Sequence, residues 1–129
     1  MTEPIWVSAT SIHFFHDAQI ERHGGSYGIR DKNLLDSALA RPQNIYAYDQ
    51  GDIFDMAASY AYGIAKNHPF VDGNKRTAFI TSVLFLELNG YYFKAPEPEA
   101  VTIIVSLANG ELPEAAYAQW LRDNGDKAK

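Results

Sequence analysis

The sequence contains no cysteine, which excludes a disulfide framework, a thiolate zinc site and cysteine nucleophile chemistry. It is also poor in positive charge: eleven Lys and Arg stand against sixteen Asp and Glu, for a net charge of −5. A chain this acidic is expected to bind neither nucleic acid nor a membrane surface. No apolar stretch reaches the roughly 18 residues of a membrane span, and no basic-then-apolar leader opens the chain. Internal repeats and low-complexity tracts are missing as well. What is present is 129 residues, 47% hydrophobic and 21% charged, enough to bury one core. The expectation is one soluble, cytoplasmic domain over residues 1–129, with the polar stretch Asn124 to Lys129 frayed.

Helical signals are dense. Ile5 to Val7 suit a short extended lead-in, and Ser8 or Ser11 suits the cap of a first helix running to about His23, closed by Gly24 and Gly25. Asp31 suits the cap of a second helix, in which Leu34, Leu35, Ala38 and Leu39 repeat at helical spacing until Arg41-Pro42. Residues 42–51 break that pattern and read as a loop with strand character, through Ile45, Tyr46 and Tyr48. Asp52 opens a third helix, which His68-Pro69 ends because the residue before proline is pushed out of the α region. Gly73-Asn74 begins a fourth, running to Asn89-Gly90, so apolar around its circumference that it is expected at the centre of the domain. Tyr91 to Phe93 suit a short extended piece, and two shorter helices follow, about 98–108 and 113–122. The fold class is all-α, a compact bundle of about six helices around a buried one.

Charge is unevenly placed. Between Lys66 and Arg76 the chain carries Lys66, Lys75 and Arg76 against Asp72, a net of +2, so the other 118 residues sum to −7. This basic island lies over the first turn of the fourth helix, where cations oppose the helix dipole by a few tenths to ~1 kcal/mol each. A bound anion reconciles the arrangement, and phosphate is the commonest one. Two bland readings stay open: the cations reach solvent, and Asp72 is an N-cap with His68 a core histidine. Taken together, a titratable base, a hard-cation ligand, a glycine and two cations fall between His68 and Arg76. Those are the parts of phosphoryl or nucleotidyl transfer. The segment is neither a P-loop nor a dinucleotide fingerprint.

These residues carry a resemblance. HPFVDGNKRTAF, His68 to Phe79, resembles the signature of the Fic/Doc (Fido) superfamily, with the Lys after Gly-Asn typical of the death-on-curing (Doc) branch. The stretches His23 to Gln43, Asp52 to Phe70 and Phe85 to Tyr91 are similar to the Doc pattern too. The resemblance implies that His68 is the general base for a target hydroxyl. It implies that Asp72 holds Mg²⁺ and that Gly73 and Asn74 line an anion hole with their backbone amides. Lys75 and Arg76, with Lys66 beside them, are implied to bind the phosphates of ATP.

The Fic form HPFx[DE]GNGRxxR has a Gly where this chain has Lys75, and a second Arg where it has Phe79. The Doc branch is implied to present the γ-phosphoryl group instead, phosphorylating a Thr of elongation factor Tu and arresting translation. AMP transfer is the alternative chemistry, and a non-catalytic antitoxin-binding module the alternative class. The resemblance also implies a target-docking flap at 42–51, with Ile45, Tyr46 and Tyr48, unless those aromatics tuck into the domain. It further implies a small antitoxin that folds as a helix in a groove of this toxin. His13, His16 and Asp17 on the first helix hint at a metal or HD-type site, but the further ligands such a site needs are missing, so a partly buried helix face is expected there. Arg30-Asp31 reads as a cap and ion pair.

Overall fold

A computed structural model of the chain describes residues 2–128. Six helices and a two-stranded antiparallel ribbon follow one another: α1 (Ala9–His23), α2 (Lys32–Ala47), α3 (Ile53–Asn67), α4 (Asn74–Leu88), β1 (Tyr91–Phe93), α5 (Glu97–Ala108), α6 (Glu114–Asp123) and β2 (Gly125–Lys127). The ends follow the capping chemistry. Ser8 accepts from Ser11 N at 3.1 Å, and Gly24, at φ 83°, closes α1 on Ile20 O. Asp31 caps α2, and Asp52 with Asp55 forms a reciprocal capping box on α3. The lead-in is pinned at both ends: Asn89 bonds Ile5 N and O, and Val7 N donates to the Tyr60 hydroxyl at 3.1 Å.

Three expectations need correction. α2 does not stop at Arg41; it runs through Pro42 to Ala47. Pro42 has no N–H for Ala38 O, a mid-helix cost of about 3 kcal/mol. The extra turn offsets that by packing Ile45 and Tyr46 against the core, with Trp6 edge-on to Tyr46 at 5.9 Å. Burial overrides local preference.

The centre is α3 rather than α4: eleven of its fifteen residues are buried, against seven of fifteen in α4. Ala57, Ala58, Ala61, Gly63 and Ala65 leave α3 slim enough for neighbours to approach closely, and a Cβ at Gly63 would stand 3.0 Å from that of Ala38. Helices α2, α4, α5 and α6 all pack on it.

The tail is ordered as well. β2 pairs with β1 in the register Tyr91↔Lys127, Tyr92↔Asp126 and Phe93↔Gly125, while Lys129 lies outside the described residues. Gly125 is required there, since a Cβ would come within 2.8 Å of the Phe54 ring. Behind β1, Phe93 meets Trp120 edge-on at 5.1 Å, and Phe79 and Tyr117 complete the aromatic cluster. The Tyr and Phe residues of α3 and α4 are thus core, as their helical spacing suggests.

Candidate active site

Residues 68–73 connect α3 to α4 and form a loop at the N-terminal end of α4. His68 leaves α3 in the left-handed region, at φ 52° and ψ 54°. For a residue with a Cβ that costs on the order of 1 kcal/mol, and such residues cluster at functional sites. Phe70 is fully buried beneath the loop, stacked on the His16 ring at 3.9 Å. The buried side chain of Asn74 holds Phe70 from the other side through the Phe70 backbone. His16 Nε2 lies 2.7 Å from the Asp72 carbonyl. A carbonyl only accepts, so Nε2 carries the hydrogen.

The segment between α1 and α2 lines the loop's flank. Val71 N donates to Gly28 O, and Arg30 N and Asp31 N both donate to Pro69 O, at 2.7 and 3.0 Å. Ile29 and Phe70 form an antiparallel bridge. The Arg30 guanidinium donates to His68 O at 2.7 Å and to Asn67 O at 2.8 Å. Arg30 therefore grips the end of α3, while its neighbour Asp31 caps α2. The expected Arg30-Asp31 ion pair does not form among the described residues.

Asp72 is exposed, and its carboxylate is oriented by backbone amides: Oδ1 accepts from Gly73 N at 2.9 Å and Oδ2 from Ser26 N at 3.3 Å. Each oxygen keeps a second lone pair. No cluster of three or more His, Asp or Glu side chains exists among the described residues. One carboxylate suits Mg²⁺, which binds through one or two carboxylates and takes its other ligands from substrate phosphates and water. Asp72 fits that description.

Gly73, at φ 74°, turns the chain into α4, where no side chain caps the first turn. Its N–H is spent on Asp72, so the amides left for an anion are those of Asn74, Lys75 and Arg76. The Asn74 side chain serves the loop and leaves only its backbone for a ligand.

His68, Asp72, Gly73, Asn74, Lys75 and Arg76 line one cleft of about 310 Å³, whose far wall is Val101, Ile104 and Val105 of α5. Arg76, Val101 and Ile104 are shared with an adjoining hollow of about 230 Å³ between α1, α4 and α5. Lys66 does not join them: its ammonium reaches Ala108 O at 3.5 Å, at the C-terminal end of α5. There it complements the helix dipole, and only part of the basic island faces the cleft.

Ile45 and Tyr46 lie half-buried on the last turn of α2, and Tyr48 stands exposed after it. This segment is helix rather than an extended flap. The backbone that bridges to the loop after His68 is instead that of Ile29, with Tyr27, Ile29 and Val71 exposed around it. Sequence reasoning assigns none of Arg30, Ser26 and His16 to this loop: it reads Arg30 as half of an ion pair with Asp31, and His16 as part of a partly buried face of the first helix. The sequence signal that covers Ser26 and Arg30 is the likeness of His23 to Gln43 to the Doc pattern, and three glycines there, Gly24, Gly25 and Gly28, adopt positive φ.

The model of the Fic/DOC family matches residues 6–86. The chain belongs to that family. This Fic/DOC protein is 35% identical over 117 residues to a protein named Protein kinase doc from Escherichia phage P1, covering 90% of this chain and 92% of that one. It is also 45% identical over 74 residues to Toxin Doc of Mycolicibacterium smegmatis, covering 56% and 57% of the two chains. Both relatives place it on the Doc side of the Fic/DOC family, in keeping with Lys75 and Phe79. Among the described residues of this Fic/DOC member, no helix is long and apolar enough to cross a membrane.

Proposed function

We propose that this chain is a Doc-type toxin that transfers the γ-phosphoryl group of ATP to a Thr or Ser hydroxyl of a protein, with elongation factor Tu the expected target and arrest of translation the outcome. The observation that carries the proposal is the convergence of His68, Asp72, Lys75 and Arg76 on one cleft at the uncapped N-terminus of α4. Such a helix end offers unpaired N–H groups and about half a positive charge to a phosphate.

In this reading the His68 imidazole accepts the proton of the target hydroxyl as that oxygen attacks the γ-phosphorus. The bond from the γ-phosphorus to the bridging oxygen breaks, and ADP leaves with the electron pair. Lys75 and Arg76, with the first-turn amides, stabilise the charge that builds on the phosphate oxygens. Asp72 would hold Mg²⁺, which when bound neutralises phosphate charge. The resemblance to proteins named kinase and toxin supports the reading. Phe79 supports phosphoryl over AMP transfer, because it packs on Phe93 and Trp120 where the Fic form has its second Arg. An antitoxin helix is the expected partner, and the hollow beside Arg76, walled by Phe79, Ile80, Ala100 and Val101, is the seat we assign to it.

Incubation with elongation factor Tu and ATP labelled at either the γ- or the α-phosphate tests the proposal. Label is expected from the γ position only, and transfer falls by about 10²- to 10⁴-fold in His68→Ala. Label from the α position overturns the kinase reading in favour of AMP transfer. No label from either, with toxicity unchanged in His68→Ala, replaces it with a binding module.

A further inference from the structure

We infer that Arg30 is a positioning residue that holds His68 in its left-handed conformation and thereby aims the imidazole into the cleft. The inference rests on the reading of His68 as the general base.

A catalytic histidine is ordinarily oriented by a hydrogen bond to its second ring nitrogen. Among the described residues the His68 ring has no such partner, whereas its backbone is held on several sides. His68 N donates to Ile64 O at 3.1 Å, and His68 O accepts from Arg30 Nε at 2.7 Å. The carbonyls on either side belong to the same clamp: Asn67 O takes Arg30 Nη2 at 2.8 Å, and Pro69 O takes the Arg30 N–H at 2.7 Å. One residue therefore binds three consecutive carbonyls centred on His68.

The last carbonyls of a helix lack intrahelical donors, and the usual solution is a left-handed glycine just past the end. Here the left-handed residue is a histidine, so the conformation must be stabilised from outside. Arg30 does so with two N–H groups fixed in one plane, a geometry an ammonium cannot copy. Its charge at the C-terminal end of α3 is also favourable to the dipole. With φ and ψ held, the Cα–Cβ direction of His68 is fixed, and His68 lines the cleft together with Asp72 and Lys75. Without Arg30 the residue is free to relax towards the right-handed or extended regions, which turns the ring out of the cleft.

The test uses Arg30→Ala and Arg30→Lys in the full chain. Turnover is expected to fall about 10- to 100-fold in Arg30→Ala, the scale for misplacing a reacting group by about an ångström, with KM for ATP nearly unchanged. Arg30→Lys recovers only part of the loss. Against His68→Ala, adding Arg30→Ala produces no further drop, because Arg30 acts through His68; additive losses overturn the proposal.

A readout independent of the reaction is the ring C–H resonance of His68 by NMR without substrate, assigned from its loss in His68→Ala. In Arg30→Ala this signal is expected to move or broaden while the other three histidines stay put; an unmoved His68 signal overturns the proposal whichever group the protein transfers. If Arg30→Ala fails to fold, Arg30→Gln, which keeps the backbone bond to Pro69 O but lacks the two-nitrogen fork that holds Asn67 O and His68 O, is read by the same two measurements and the same criteria.

Discussion

Asn74 and Phe70 close a ring of two hydrogen bonds: Asn74 Oδ1 accepts the Phe70 N–H at 2.9 Å, and Asn74 Nδ2 donates to the Phe70 carbonyl at 2.9 Å. Both residues are buried, so these two backbone groups have no access to water. The ring ties the middle of the 68–73 loop to the first residue of α4. Asn74→Ala leaves both groups unpaired, at on the order of 1–3 kcal/mol each. A lowered melting temperature together with reduced label transfer is expected. Lost transfer at unchanged stability would instead assign the side chain to the ligand.

Lys66 and Arg76 belong to the same stretch of positive charge but face different places. Arg76→Ala is expected to weaken ATP binding by about tenfold to a hundredfold, the equivalent of one charge-assisted hydrogen bond of ~1.5–3 kcal/mol. Lys66→Ala is expected to leave it unchanged. Isothermal titration with a non-hydrolysable ATP analogue separates the two, and equal losses would return Lys66 to the cleft.

Gly25 lies against Asp72, and a Cβ there would meet the carboxylate Oδ2 at 2.6 Å. Gly25→Ala therefore pushes Asp72 aside and is expected to raise the Mg²⁺ concentration needed for half-maximal transfer. Gly24 is the control: it also has positive φ, but nothing stands within 4 Å of its added Cβ. Gly24→Ala shares the backbone strain and should leave the Mg²⁺ requirement where it was. Binding of Mn²⁺-nucleotide, followed by electron paramagnetic resonance, gives the same comparison without turnover.

Asp52 links stability to pH. Burial works against its ionisation, but hydrogen bonds from Arg122 and Asp55 outweigh that and hold its carboxyl below the usual range. A lowered folded-state pKa means the contribution is complete above about pH 4, the ordinary Asp value, and is lost as pH falls through the folded-state value. Asp52→Asn keeps a capping oxygen on α3 and removes the charge. The melting temperature of the variant should fall less steeply as pH drops below about 4 than that of the parent. Parallel curves would refute the linkage.

Much of the fold was legible from single positions. Ser8, Asp31 and Asp52 mark helix starts because a side-chain oxygen three residues ahead of an unpaired N–H is a local device. His68-Pro69 marks a stop for an equally local steric reason. Pro42 misled for the same reason in reverse: its local preference is real, but burial of Ile45 and Tyr46 outweighs it. The tail was misread because Gly125 to Lys127 find hydrogen-bond partners only on β1, more than thirty residues away in the chain.

By itself the sequence determined an all-α chain with a histidine, a carboxylate and two cations gathered within nine residues at one helix start. That much is short-range chemistry, written in neighbours. Only the tertiary structure decided which groups orient those residues and which cation leaves the site. Arg30 meets His68 across 38 positions, Ser26 meets Asp72 across 46, and His16 meets the Asp72 carbonyl across 56. Contacts at such separations obey no local period. They exist because α1 and the segment after it pack beside the start of α4, and packing of that kind is a property of the whole core.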